Sequence, residues 1–158
     1  MNKSLSNIIR PRLNQGFSLL EVLVAVVVLA IGLLSLAALQ ISGIRYLSAA
    51  NMDYQAMLQA VDMAERMRAN PDGVAGGAYS NVSGTGSNPN CISSYCSASQ
   101  MAQTDIYQWN TLNAQLLPSG AGTVTVNGNL YTITITWNVA VSFGAAPQLE
   151  TFALSFSP

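Results

Sequence analysis

The 158-residue sequence contains no histidine. That absence excludes His-based catalytic triads, imidazole acid–base chemistry and the usual histidine metal sites. Charge is also sparse, with six Lys or Arg against seven Asp or Glu. The acids are scattered rather than paired, no glycine-rich phosphate loop opens a helix, and two cysteines alone do not complete a zinc site. The chain is therefore expected to be no enzyme and to carry no metal and no cofactor. Proline is missing from Phe17 to Arg68, and glycine occurs there only at Gly32 and Gly43, so little opposes a helix over that stretch.

What the stretch does contain is apolar. From Phe17 to Leu39, Glu21 is the only charge, and Ser18 and Ser35 are the only other polar side chains. Roughly 20 apolar residues rising about 1.5 Å each match a hydrocarbon core of about 30 Å, so the run is long enough to cross a bilayer. Lys3, Arg10 and Arg12 precede it and only Arg45 follows closely, which predicts a cytoplasmic N-terminus and an exported remainder. A cleaved secretory signal is the competing reading. Its apolar region is usually 7 to 15 residues and ends in small residues, whereas this run continues into helix-like sequence and is expected to persist in the mature protein. From Phe17 onward the chain is mildly acidic, which argues against nucleic acid as the main partner.

Beyond the run, Ile41, Ile44, Leu47, Ala50, Tyr54, Met57 or Leu58, Val61 and Ala64 recur at three- and four-residue steps, predicting one helix of about 50 residues with an amphipathic outer half. Asn70-Pro71-Asp72-Gly73 ends it. Arg66 and Arg68 fall in its last turn, where a solvated helix end complementing the dipole is the expected role. Gly73 to Ser99 is rich in Gly, Ser and Asn and reads as an exposed loop. On the predicted orientation its Cys91 and Cys96 lie in an oxidising compartment, and a disulfide between them would contribute roughly 2 kcal/mol. Ser97-Ala98-Ser99-Gln100 has capping-box spacing, and Ala102, Ile106, Trp109, Leu112 and Leu116 mark a second helix ending at Pro118-Ser119-Gly120.

The last forty or so residues alternate with period two. Val124 and Val126 lead into Asn127-Gly128, a two-residue turn signal, and Tyr131, Ile133, Ile135, Trp137, Val139, Val141 and Phe143 then alternate with polar residues. Phe152, Leu154 and Phe156 give a third half-buried strand. The expected fold is α+β, with a three-stranded antiparallel meander packed on the outer half of the long helix.

Glu21 sets the functional question. A carboxylate near the start of a membrane helix is either hydrated near the headgroups or functional with a specific partner. Gly16-Phe17-Ser18-Leu19-Leu20-Glu21, with a basic leader before it and the apolar run after it, resembles the N-terminal signature of type IV pilins and pseudopilins. The resemblance implies that a prepilin peptidase cuts after Gly16 and methylates the new amine of Phe17. Glu21 would then be the family's glutamate at the fifth mature position, serving subunit assembly. Its partner would be the Phe17 amine of a neighbouring subunit, or of its own chain about one turn away. Ala30-Ile31-Gly32-Leu33-Leu34, Ala64 to Pro71, Asp105 to Asn110 and Leu117 to Gly120 are similar to segments of minor pilins, which implies a subunit that primes assembly with other minor pilins near the filament tip. Many major pilins carry a proline in the long helix and a cysteine-bounded loop near the C-terminus. This chain has neither feature in those places, which speaks against the major-subunit role.

These readings divide the chain into a leader over 1–16, an apolar helix over 17–40, its amphipathic continuation over 41–70, a cysteine-containing loop over 71–100 and a helix-plus-sheet region over 101–158. The implied partners are the prepilin peptidase, the major and other minor pilins, the inner-membrane assembly machinery and the membrane itself. A binding module whose loop contacts a surface or DNA, and a pseudopilin of a type II secretion system, are the alternatives.

Overall fold

The computed structural model describes residues 16–140 and 146–158. Six elements follow in order: α1 (Leu19–Ala69), α2 (Pro71–Ala75), α3 (Ala98–Leu116), β1 (Ala121–Asn127), β2 (Leu130–Val139) and β3 (Gln148–Phe156). Two compact units divide at Ile44 and Arg45. Leader residues 1–15 and the positions Val141 and Phe143 lie outside the described residues.

In the first unit, α1 is apolar and unburied. An 18-residue window reaches a mean hydropathy of 3.0 with none of it buried, which meets the length and composition of a membrane span. Ser35 and Ser42 turn their hydroxyls back onto the carbonyls of Ile31 and Ala38, at 2.9 and 3.2 Å, so neither adds a free donor to the apolar surface.

The second unit is α+β. Its sheet has the order β1-β2-β3, antiparallel throughout. The inward residues of β2, Tyr131, Ile133, Ile135 and Trp137, are buried as period two predicts, and Phe152, Leu154 and Phe156 extend the same face half-buried. The hairpin turn differs from expectation by one position. Asn127 pairs with Leu130, so Gly128 and Asn129 form the two-residue loop, and Gly128 supplies the positive φ of 61° at its first central position.

The long helix buries a stripe that shares only Ala64 with the predicted one. Met52, Ala56, Ala60, Met63, Ala64 and Met67 meet the core, whereas Leu47, Tyr54, Met57, Leu58 and Val61 remain exposed. The inner stripe carries small alanines and flexible methionines that share one buried cluster with Trp109 and Trp137, both fully inside. The outer stripe is more apolar, and periodicity alone favours it.

A similar shift occurs on α3. Its capping box forms as predicted, with Ser97 Oγ accepting from the Gln100 N–H at 3.3 Å and Gln100 Oε1 from the Ser97 N–H at 3.0 Å. Ala102, Ile106 and Trp109 are buried, but Leu112 and Leu116 stay partly exposed while Asn110 and Asn113 go inside. Asn110 compensates for its burial. Its amide donates to the carbonyls of Gly84 at 2.7 Å and Gly122 at 3.2 Å, and its carbonyl accepts from the Gly122 N–H at 2.7 Å.

The Gly73 to Ser99 segment is not uniformly an exposed loop. Tyr79 is fully buried, and Val82 pairs with Val124 of β1. Asn81 and Asn90 adopt left-handed backbone at φ 56° and 58°, a conformation asparagine tolerates better than most residues.

Candidate functional site

Phe17 stands two residues before α1, and Ser18 caps the helix. The Ser18 hydroxyl accepts from the Leu20 N–H at 3.2 Å, and its carbonyl accepts from the N–H groups of Glu21 at 3.0 Å and Val22 at 3.3 Å. Ser18-Leu19-Leu20-Glu21 has the spacing of a helix start, a signal the apolar run conceals. Glu21 lies in the first turn, where the unsatisfied N–H groups favour negative charge by about 0.3–1 kcal/mol. Phe17 and Glu21 line one shallow depression with Val22, Ala25, Val26 and Leu29. The structure thus brings Phe17 and Glu21 to one helix face whose other members are apolar, and Phe17 is 83% exposed.

Gly16 is followed by exposed chain and nothing lies within 4 Å of where its side chain would begin.

A second polar cluster holds the outer end of α1, and here the arginines differ from expectation. Arg66 is not merely a solvated helix end. Its Nε donates to Asp62 at 2.8 Å, and its Nη1 reaches Asp105 at 3.2 Å and Gln108 at 3.1 Å. Burial disfavours the Arg66 charge, but the hydrogen bonds and charges of Asp62 and Asp105 outweigh it and hold the guanidinium above its ordinary pKa. Arg68 stays on the surface, paired with Glu65 and lying 5.1 Å from the ring centre of Phe156.

Asp105 also accepts from the Tyr79 hydroxyl at 2.6 Å. Burial, then the bond to Asp105, pushes the Tyr79 phenol far above its ordinary pKa. Asn70 completes the cluster: its amide donates to Tyr79 Oη at 3.1 Å and to the Ala98 carbonyl at 2.8 Å, while its carbonyl caps α2 by accepting from the Gly73 N–H at 3.1 Å. A side chain on Gly73 would begin 2.5 Å from the Asn70 amide nitrogen and would displace the Asn70 side chain from this cluster. Sequence reasoning missed this cluster. The short stretches Ala64 to Pro71 and Asp105 to Asn110 supply Arg66, Asn70, Asp105, Gln108 and Asn110, and their hydrogen bonds are spent on the fold rather than turned toward a ligand.

Cys91 and Cys96 are joined, with Cα atoms 5.5 Å apart. The Thr104 hydroxyl of α3 donates to Cys91 Sγ at 3.1 Å, tethering the small loop to the helix. Within the loop, Ile92 and Tyr95 are exposed.

Two family models match the chain. The prokaryotic N-terminal methylation motif matches residues 11–37, and the model described as type IV pilin Tt1218 matches residues 38–107. No curated protein and no solved structure matches. The first match holds Phe17, Glu21 and most of the apolar run, while the second reaches from the end of that run to Tyr107 and takes in Arg66, Asn70, Tyr79 and Asp105. Such a chain points to a structural rather than an enzymatic role. Its long helix, three-stranded antiparallel sheet and N-terminal motif together make the chain a type IV pilin-like protein.

Proposed function

We propose that this chain is a minor pilin of a type IV pilus, resembling PilV, the type IV pilus modification protein, in the segments around Gly32, Arg66, Asp105 and Pro118. A prepilin peptidase removes residues 1–16 and methylates the amine of Phe17. The mature chain is anchored in the inner membrane with its N-terminus on the cytoplasmic side and its second unit in the periplasm. It then joins other minor pilins and the major pilin in priming and building the filament, driven by the inner-membrane assembly machinery.

The observation that carries this reading is the placement of Glu21 beside Phe17 on an exposed apolar helix face. Lipid and a filament core are similarly apolar, so apolar area alone gives little reason to leave one for the other. Charge pairing supplies selectivity. An unpaired buried carboxylate costs several kcal/mol, whereas one that meets the new cationic amine of a neighbouring subunit is compensated. Glu21 therefore favours the correct register as each subunit enters, as single polar residues do in coiled helices. Mass spectrometry of the mature chain tests the processing step: an N-methylated phenylalanine at residue 17 is expected, and an intact leader rejects the reading.

A second reading is favoured by one observation. Ile92 and Tyr95 are 86% and 102% exposed on a disulfide-closed loop, an arrangement suited to presenting two apolar anchors. Under it the loop binds a surface or another cell at the pilus tip. Ile92→Ser with Tyr95→Ser, leaving pilus number unchanged, would then abolish adhesion; unchanged adhesion rejects the reading.

A further inference from the structure

Arg45 is the first charge after Glu21, and every residue between them is uncharged. Both positions belong to α1, and at about 1.5 Å per residue the helix rises about 36 Å from one to the other. A bilayer measures about 30 Å across its hydrocarbon and about 40–45 Å with its headgroups, so a helix crossing it can hold both charges at headgroup level at once. Arg45 also differs from the other arginines of the second unit. Asp62 and Asp105 hold Arg66 and Glu65 holds Arg68, whereas among the described residues no carboxylate meets Arg45. Tyr46 beside it is 79% exposed. Both precede Met52, where α1 begins to pack on the core, and Arg45 to Ser48 are all exposed.

We propose that Arg45 and Tyr46 bind the lipid surface where α1 leaves the bilayer, Arg45 taking the phosphate of an anionic headgroup and Tyr46 lodging its ring at the interface with its hydroxyl toward water. This rests on the membrane anchoring proposed above. Arginine suits the phosphate because its planar fork donates two hydrogen bonds at once. The site also sets the depth of the helix. With Arg45 at one headgroup layer, Glu21 reaches the opposite one and stays hydrated while the subunit waits in the membrane. The cost of desolvating that carboxylate then falls on the step into the filament, where a cationic amine can meet it. Arg45 must release its phosphate in the same step.

Brominated lipids test the site in the full chain reconstituted into vesicles. Bromine on the upper acyl chain quenches a tryptophan lying close to it, so Tyr46→Trp reports the lipids around this position. Trp109 and Trp137 are buried in the core of the second unit and enter as a background, subtracted with the wild-type chain. In vesicles of equal parts phosphatidylglycerol and phosphatidylcholine, with one or the other brominated, the anionic lipid should contact the added tryptophan about five times as often as the neutral one. That ratio corresponds to about 1 kcal/mol for one arginine at the surface. Adding Arg45→Gln should bring it to about one while both lipids still quench. A ratio near one before that change, an unaltered ratio after it, or no quenching by either lipid would each overturn the site. N-methylated Phe17 in cells alongside any of those results would leave the proposed function standing.

Discussion

The hydroxyl of Tyr79 donates to the carboxylate of Asp105 at 2.6 Å, joining the segment that follows α2 to the middle of α3. Asp105 in turn holds Arg66 near the end of α1, so one buried carboxylate ties three parts of the chain together.

Tyr79→Phe should destabilise the full chain in detergent by about 1–3 kcal/mol, because it removes a hydrogen bond from a buried carboxylate and an acceptor from Asn70. A urea midpoint measured with unchanged slope checks this. A loss below about 0.5 kcal/mol would mean that water replaces the hydroxyl without cost.

The same residue makes the stability pH-dependent. Folding raises the Tyr79 pKa above its ordinary value of 10.0, so the native state favours the neutral phenol. Its contribution is fully present below that value and declines as the pH rises above it, since only the unfolded chain then releases the proton readily. Alkaline unfolding of wild type should therefore begin to steepen near pH 10, and Tyr79→Phe should lack that component.

Gly122→Ala should cost about 1–3 kcal/mol or more. Its new methyl would begin 2.2 Å from Trp109 Cη2 and 2.7 Å from the Asn113 amide, and the ring is fixed by the bond from its Nε1 to the Gln59 carbonyl at 2.8 Å. Thermal unfolding with tryptophan fluorescence reads both the loss and any displacement of the ring. An unchanged melting temperature would show that Trp109 is not held as described.

Replacing Cys91 and Cys96 by alanine should lower stability by roughly 2 kcal/mol, the loop-closure contribution of so short a ring. Hydrogen exchange should accelerate around the loop and in the first turns of α3, which Thr104 ties to Cys91. Uniform exchange across the second unit would instead place the bridge in the global core.

Much of this organisation is legible in the sequence, and the exceptions share a cause. The apolar run, the break at Asn70-Pro71, the capping box at Ser97 and the alternation of β2 are local patterns, each decided within a few residues. The side of α1 that is buried is not local. Both of its stripes are apolar, and the inner one is chosen by the fit of Met63 and the alanines against Trp109 and Trp137, residues brought in from far along the chain. Asn110 escapes apolar periodicity because its burial depends on backbone partners at Gly84 and Gly122, and Asn113 because its amide donates to the Asn110 side chain. Tyr79 sits in a stretch whose composition reads as loop, and its burial depends on distant partners, the core cluster around its ring and Asp105 and Asn70 at its hydroxyl. At the N-terminal site the sequence supplies Phe17 and Glu21, and the structure adds the Ser18 cap that fixes where the helix begins.

The most direct test of the charge-pairing account is the content of this subunit in sheared filaments of a Glu21→Gln strain, which keeps the size of the side chain and removes only its charge. The account predicts normal removal of the leader and a fall in incorporation of about tenfold or more, the equivalent of at least 1.4 kcal/mol. Normal incorporation of Glu21→Gln would contradict it.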